Sequence, residues 1–471
     1  MFEGTILYEG ARRGRPGLLA VIAAAMGLIG TATVRAQPPL PVIPNNTFDV
    51  ANFGAIGDGS TVDTSAIQDA INAAAAAGGG TVQIPDLSEG VYLAGALNLS
   101  SDINLDVAAG ATLRMLPEPE YYSNVSHTGT PFITVRSANN VEISGGGTID
   151  GNGSSGWWAN YTTLNRPDLI RLNSDNIVEI TGVTIENSPM EHLAFDGTNN
   201  VTINNISISA PANSPNTDGI DPSGSNYLIE NSTIADGDDD IAVKAGGLPA
   251  SNIVINNLNI GSGHGLSIGG QTNSGVNSMI VSNVTFNGTS NGLRMKAGAG
   301  NGGLVQNISY SNISMTNVGK PISISSFYEN GSDNFPADPT AVTAATLNST
   351  TPLWKNITIN GLTATGAFQD GLIYGEPLTG SGAPPTNFDG LTMNNVHISG
   401  AKGMGIYYVQ NLALNNSDSF TAISGPGLSA YGDTLAVPGP DPLELLTLGG
   451  VGAFLLAGRR RCPAQMELIQ P

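Results

Sequence analysis

A short repeat runs through the middle of the chain and limits the possible folds more than any other feature of the sequence. Runs that start near Asp175, Asn199, Ser225, Ser251 and Asn277 each begin with Asn or Ser, continue with alternating apolar positions and end in a Gly/Asn turn. Successive starts are 24, 26, 26 and 26 residues apart. This spacing is too regular for an ordinary sandwich and matches one coil of a solenoid. It predicts an all-β fold, a single-stranded right-handed parallel β-helix.

In such a solenoid Ile and Val point inward, and equivalent positions of adjacent coils stack into parallel sheets. The asparagine at each turn is predicted to form an interior hydrogen-bonded ladder or a plain turn, in preference to a glycosylation acceptor. Residues 64–73, which follow a strand and a Gly/Asp turn at 48–59, predict a capped helix that covers one end of the solenoid. We assign this N-terminal capping helix no chemistry.

Length and composition agree with one large β-domain. The chain has 471 residues, which a solenoid accommodates as one unit because each coil contacts only its neighbours. Charged residues are only 12% of the chain and 61 residues are glycine, which favours a β-rich globular protein over disorder or a coiled coil. The net charge of −21 argues against a nucleic-acid partner. It does not exclude a polyanionic substrate, because binding depends on the local field.

The N-terminus predicts export. Arg12, Arg13 and Arg15 precede the apolar residues 18–29, and Val34 and Ala36 are small residues at the positions that a signal peptidase requires. We therefore expect a signal peptide at 1–36, with a retained signal anchor as the alternative, and a β-helical domain at 37–436. The only cysteine is Cys462, so disulfides cannot hold this domain together and its stability must come from packing and strand ladders.

The C-terminus, residues 437–471, combines a Pro-rich stretch at 437–440, an apolar stretch at 443–457 and then Arg459, Arg460 and Arg461. This layout resembles the PEP-CTERM sorting signal of Gram-negative bacteria, although Gly439 stands where that signal has Glu. The resemblance implies an extracellular or envelope-associated protein that meets a sorting machinery through its C-terminus. The alternative is a buried terminal helix, because the apolar stretch is short for a membrane crossing.

A set of chemically useful residues occurs in a fixed order on successive repeats. The set consists of Asp218, Asp238, Asp239, His264, Arg294 and Lys296. Carboxylates supply the acid and base that cut a glycosidic bond, and paired cations bind an anionic sugar. Arg294 and Lys296 lie at a spacing of two and therefore share one face of a strand. The set predicts hydrolysis of an acidic polysaccharide.

These residues stand in motifs that resemble those of polygalacturonases, glycoside hydrolase family 28. The motifs are Asn216-Thr217-Asp218, Gly237-Asp238-Asp239, Gly263-His264-Gly265 and Arg294-Met295-Lys296. The resemblance implies a pectin-lyase-like solenoid and inverting cleavage of α-1,4-linked galacturonan, with no metal and no organic cofactor. Asp238 would be the general acid, and Asp218 and Asp239 would hold and deprotonate water, with His264 in a supporting role. Asn216, Arg294, Lys296 and Tyr328 would bind the substrate.

Several alternatives remain open from the sequence. Residues 236–240 contain four aspartates, which also suit an acidic turn or a calcium site. A pectate lyase would share the fold and the substrate but would eliminate, usually with calcium, and a non-catalytic envelope protein would only bind polysaccharide. Endo and exo action, and plain and decorated pectin, are all compatible with the motifs, and the segment 330–353 is one place where a loop could close the groove. The capped solenoid ends favour a monomer.

Overall fold

The computed structural model describes residues 37–435 apart from 88 and 416. The predicted signal peptide (1–36) and C-terminal sorting segment (437–471), with Cys462, therefore lie outside the described residues. In the described part of the chain, no helix is both long and apolar enough to span a membrane.

The described residues form 33 strands and two α-helices, with three short 3-10 turns. The helices are α1 (Thr64–Ala76) and α2 (Glu118–Ser123), and the 3-10 turns are Val50–Phe53, Trp158–Asn160 and Pro339–Ala341. The strands before the repeats are β1 (Thr47–Asp49), β2 (Asp58–Val62), β3 (Gly80–Ile84), β4 (Val91–Ala94), β5 (Leu97–Leu99), β6 (Ile103–Val107), β7 (Thr112–Met115), β8 (Ile133–Arg136), β9 (Asn139–Gly145) and β10 (Thr148–Asp150). Those of the repeats are β11 (Ile170–Asn173), β12 (Asn176–Thr181), β13 (Thr184–Glu186), β14 (Leu193–Asp196), β15 (Thr198–Asn204), β16 (Ser207–Ser209), β17 (Ile220–Asp221), β18 (Gly224–Ala235), β19 (Ile241–Val243), β20 (Ala250–Ile260), β21 (Leu266–Gly270), β22 (Val276–Asn287), β23 (Asn291–Ala297) and β24 (Leu304–Thr316). The remaining strands are β25 (Lys320–Ser325), β26 (Tyr328–Glu329), β27 (Ser332–Asp333), β28 (Ala345–Thr346), β29 (Leu353–Tyr374), β30 (Leu378–Thr379), β31 (Phe388–Tyr407), β32 (Val409–Leu414) and β33 (Ser419–Tyr431).

Each coil pairs in parallel with the coil before and after it, and 29 of the strands belong to one continuous sheet. The predicted parallel β-helix is confirmed. One face of it matters for function and is called the site sheet: β5, β8, β11, β14, β17, β19, β21, β23 and β25, stacked in that order.

The register of the site sheet explains its stability. Leu193 pairs with Ile220, Ile220 with Ile241, Ile241 with Leu266, and Leu266 with Leu293. All five side chains are buried, so an unbroken aliphatic stack runs inside the coils. Burial of each such side chain stabilises the fold by about 1.5–3 kcal/mol before conformational entropy is subtracted. Because side chains alternate along a strand, the positions between them face outward.

The predicted capping helix is also confirmed and extends three residues further than expected, to Ala76. Its apolar face, which includes Ile67 and Ile71, is fully buried against the first coils. Asp63 immediately before the helix accepts backbone N–H groups of Ile56 and Gly57, and so ties the cap to the incoming turn.

The asparagine ladder exists, but the prediction of an interior position is wrong for the turn asparagines of the regular coils. Asn200, Asn226 and Asn252 adopt positive φ angles of 57°, 62° and 55° at the coil corners. Asn226 donates to Asn200 (3.0 Å), and Asn252 donates to Asn226 (3.2 Å), in partly or fully exposed positions. A left-handed corner favours Asn over most residues, and it places the amide where the chain turns, on the outside of the core.

Candidate active site

The topology brings the residues of the ordered set together. Asp218 lies just before β17, Asp238 and Asp239 lie before β19, and His264 lies before β21. Backbone bonds join these turns across coils: His264 N–H donates to the Asp238 carbonyl (2.5 Å). Because equivalent turns stack, residues more than twenty positions apart in sequence meet on one outer face.

Asp238 is the most accessible carboxylate of the set, with 22% of its side chain exposed. His264 Nδ1 lies 2.9 Å from Asp238 Oδ1, and this hydrogen bond raises the pKa of His264. On the other side Asn216 Nδ2 lies 3.4 Å from Asp238 Oδ2. Arg166 donates to Asn216 Oδ1 at 2.6 Å and so fixes the amide in this orientation. Arg166 was not among the site residues predicted from the sequence.

Asp239 is held as an anion. Lys296 Nζ lies 2.5 Å from Asp239 Oδ2, Arg294 lies 3.4 Å from Oδ1, and Ser267 donates to Oδ1 at 2.8 Å. Burial, the largest single effect, works to raise the pKa of Asp239, but Lys296, Arg294 and Lys244 outweigh it and lower the pKa to about 2.

Asp218 is equally buried and behaves in the opposite way. Burial raises its pKa to about 6, aided by the negative charges of Asp238 and Asp239 and opposed by Lys244. Lys244 Nζ lies 3.4 Å from Asp218 Oδ2 and 3.5 Å from Asp221 Oδ2. Near pH 6 a large fraction of Asp218 therefore retains a proton that an isolated aspartate would lose. Asp221 was not predicted from the sequence, although it stands only three residues after Asp218.

Asp236 and Asp240, the other two aspartates of residues 236–240, are fully buried beneath the turn. Asp236 Oδ1 accepts the N–H of Asp238 (3.0 Å), and Asp240 Oδ2 accepts the N–H of Gly265 (2.9 Å). They hold the backbone that presents Asp238 and His264. One oxygen of each aspartate thus bonds to a backbone amide of the turn, which gives both residues a structural role.

Asp238, Asp239 and His264 are the one group in the described chain whose ligand atoms lie close enough to hold a metal, within 4.8 Å of one another. However, both oxygens of Asp239 already contact cationic groups. A divalent ion at this point would be repelled by Lys296 and Arg294. The contacts favour acid–base chemistry over metal binding.

Two hollows flank the carboxylates. The smaller has a volume of about 230 Å³ and is lined by nine residues. Six of them are site residues predicted from the sequence: Asn216, Asp238, His264, Arg294, Lys296 and Tyr328. The other three are Ser290, Asn291 and Gly331. The larger, of about 800 Å³, includes Arg171, Glu191, Asp221 and Lys244 and again Tyr328. Tyr328 thus separates the two hollows. Of the segment predicted to close the groove, the first residues, Asn330 and Gly331, line them.

Comparison with known proteins bears on what this groove does. Residues 79–417 match the family model described as glycosyl hydrolases family 28. An endo-polygalacturonase of Pectobacterium parmentieri is 33% identical over 371 residues, covering 73% of this chain and 88% of the relative.

Solved structures agree with the sequence comparison. A polygalacturonase from Erwinia carotovora superposes with a TM-score of 0.63 at 29% identity, over 85% of this chain and 99% of that one. An exopolygalacturonase from Thermotoga maritima superposes with a TM-score of 0.65 at 25% identity, over 81% and 94%.

Proposed function

The chain belongs to glycosyl hydrolase family 28, and from this membership we propose that it hydrolyses the α-1,4 linkages of polygalacturonate or pectin with inversion at the anomeric carbon. Its enzyme class is that of the polygalacturonase-type glycosyl hydrolases. The observation that carries the mechanism is the environment of three neighbouring aspartates, of which one is locked as an anion and one is accessible from the smaller hollow.

In this mechanism Asp238 donates a proton to the leaving glycosidic oxygen. It is the exposed member of the set, and its carboxyl is oriented by His264 on one oxygen and Asn216 on the other. Neighbouring negative charges favour retention of one proton in the cluster, which the acid role requires.

Asp218 and Asp239 hold the water that attacks from the opposite face of the sugar, and one of them takes up its proton. Asp239 remains ionised in mild acid, because Lys296 and Arg294 outweigh the effect of burial and lower its pKa to about 2. Asp218 is available as a base once the pH exceeds its pKa of about 6. Arg294, Lys296 and Tyr328 contribute the wall against which the uronate ring lies.

The test is incubation of the enzyme with polygalacturonate in excess chelator, following reducing ends and the absorbance of unsaturated uronides together. We expect reducing ends without unsaturation, and a loss of at least about a thousandfold in kcat for Asp238→Asn. Asp69→Asn, exposed on α1, is the matched control and should keep full activity.

Other outcomes are equally informative. Unsaturated products would show that the enzyme is a lyase and not a hydrolase. No product from either polygalacturonate or pectin would point to a protein that only binds polysaccharide.

For the cellular setting, we propose that residues 1–36 direct export and that residues 437–471 direct sorting at the envelope of a Gram-negative bacterium. Both segments lie outside the described residues, so the support comes from the arginine, apolar and proline patterns of the sequence alone.

A further inference from the structure

The two cations proposed to bind the substrate are both paired with protein carboxylates. Lys296 and one arm of Arg294 contact Asp239. The other arm of Arg294, its Nη2, lies 3.0 Å from Asp333 Oδ2. The Arg294 and Asp333 side chains are only 8% and 9% exposed, so this ion pair is shielded from solvent. A partner that shields Arg294 in this way could not be inferred from the sequence motif.

Asp333 reaches Arg294 from a short hairpin. The hairpin pairs β26 with β27, with Tyr328 opposite Asp333. The ring of Tyr328 lies 5.5 Å from the Arg294 guanidinium carbon and 5.0 Å from Lys296 Nζ. One hairpin therefore places both a carboxylate and an aromatic face against the same cationic pair. Asp333 itself does not line either of the two hollows described above, so it contacts Arg294 from outside the place where a sugar would lie.

The charges in contact are balanced. Arg294 and Lys296 carry two positive charges, and Asp239 and Asp333 carry two negative charges. Lys320 is a further nearby cation, but its ammonium lies over the ring of Phe335 (5.0 Å) and it does not line the two hollows. Burial is the first cause that lowers the pKa of Lys320.

This balance changes what a uronate carboxylate gains on binding. A free carboxylate must lose its hydration to enter the smaller hollow, which costs free energy. Attraction to a cluster of zero net charge offsets little of that dehydration free energy. A methyl ester carries no charge and loses far less hydration. An aromatic wall such as Tyr328 accepts either form of the sugar.

We propose that Asp333 is a specificity-determining residue: by neutralising Arg294 it reduces the advantage of a free carboxylate over a methyl ester, so that the enzyme accepts partly methyl-esterified galacturonan. The inference rests on the proposed function and adds the esterification state of the substrate to it. Asp333 acts through Arg294 and not through contact with the sugar.

The experiment compares the full-length enzyme with its Asp333→Asn variant on polygalacturonate and on partly methyl-esterified pectin. Asn keeps the size of the side chain and its carbonyl can still accept from Arg294, while the negative charge is gone. We expect the ratio of kcat/KM on the free acid to kcat/KM on the ester to rise roughly fivefold to twentyfold, mainly through a lower KM for polygalacturonate. Wild-type kcat/KM on the ester should be no less than about a tenth of that on the acid.

Two variants serve as controls. Asp338→Asn makes the same change on the same segment, but at an exposed carboxylate that only caps Thr340 (2.9 Å), and it should leave the ratio unchanged. Asp333→Glu keeps the charge and should keep the wild-type ratio. Thermal unfolding of each variant establishes that the fold is intact.

The inference is overturned if Asp333→Asn leaves the ratio unchanged or lowers kcat/KM on both substrates by one factor, because the residue would then only anchor the hairpin. A wild-type enzyme that cleaves the free acid but rejects the ester overturns it without any variant, and the proposed function would survive. Failure to cleave either substrate would remove the proposed function and this inference with it.

Discussion

At the scale of single residues, Asp218 and Asp239 show how the same side chain acquires opposite properties on adjacent coils. Both are almost fully buried, and burial alone would raise both pKa values. Asp239 contacts Lys296 and Arg294, whereas Asp218 has Lys244 alone and shares it with Asp221. The number of cations per carboxylate therefore decides which aspartate stays ionised in mild acid.

The first prediction concerns Lys244, whose positive charge stabilises ionised Asp218. Loss of that charge in Lys244→Gln raises the pKa of Asp218 further above its value of about 6. Since Asp218 must be ionised to act, kcat/KM rises with pH through this pKa, and we expect the acid limb of the profile to move upward by roughly 0.5–1 pH unit. The measurement is kcat/KM from pH 4 to 8 on polygalacturonate.

Arg171→Gln is the matched control for this profile. Arg171 also lines the larger hollow, but it pairs with Asp168 and not with Asp218. An equal shift in both variants would mean that the effect is the general loss of positive charge from the groove. No shift in Lys244→Gln would exclude Asp218 from the acid limb.

Residue identities in the site were predictable only where the motif order carried them. The structure places Asp218, Asp238, Asp239, His264, Arg294 and Lys296 together on one face, and their roles remain predictions. The partners that set their charge states were not predictable. Asp333 is 39 residues from Arg294 in sequence, and only the bend of the β26–β27 hairpin brings it there.

At the scale of elements, the coil is the unit that the sequence specified well. Its period follows from corners that recur at equivalent positions of successive coils, where asparagines adopt positive φ angles. Beyond β24 the period fails, because about forty residues separate β24 from its partner β29 and include the hairpin with Tyr328 and Asp333. An insertion of this kind leaves the stacking of the coils intact. The alternating apolar pattern therefore does not predict the structure of the inserted segment.

The second prediction separates the two contributions of a corner asparagine. Asn226→Ala loses the amide bonds to Asn200 and Asn252, and alanine also lacks the short polar side chain that lets asparagine adopt the left-handed region. Asn226→Gly loses the same bonds but tolerates φ of 62°. We expect the free energy of unfolding to fall by about 1–3 kcal/mol for Ala and by less for Gly, measured by urea denaturation.

Equal losses for Ala and Gly would show that the ladder, and not the backbone conformation, stabilises the corner. Wild-type stability in both variants would show that neither the asparagine ladder nor the residue type at the left-handed corner contributes to the free energy of unfolding.

At the scale of the whole molecule, stability comes from stacking and not from covalent links. The described residues contain no cysteine, and their core is one continuous cluster from the first coils to the last. Composition and period were sufficient to predict this architecture and its helical cap, because each coil repeats the same alternating apolar pattern and the same kind of turn. The far end was not predictable: β33 is the last strand described, and Ile423 on it is 89% exposed.

The last prediction concerns which part of the chain is sufficient for activity and which part directs sorting. Every residue proposed for catalysis, and the core cluster formed by the described residues, lies within 37–436. We therefore expect residues 37–436, produced alone, to be a monomer with kcat/KM within about twofold of the full chain, because no site residue is lost. In the organism that encodes it, the full chain should fractionate with the envelope and a chain ending at residue 436 should appear in the medium.

Light scattering and cell fractionation, each with an assay of activity, provide the measurements. Loss of activity in 37–436 would mean that a terminal segment completes the fold or the groove. If the shortened chain is as active as the full chain but is found in the same place, then 37–436 contains the whole catalytic unit. Residues 437–471 would then not direct sorting. The buried-helix alternative for that segment predicts the first of these results, since removal of a helix from a core exposes the apolar surface that it covered.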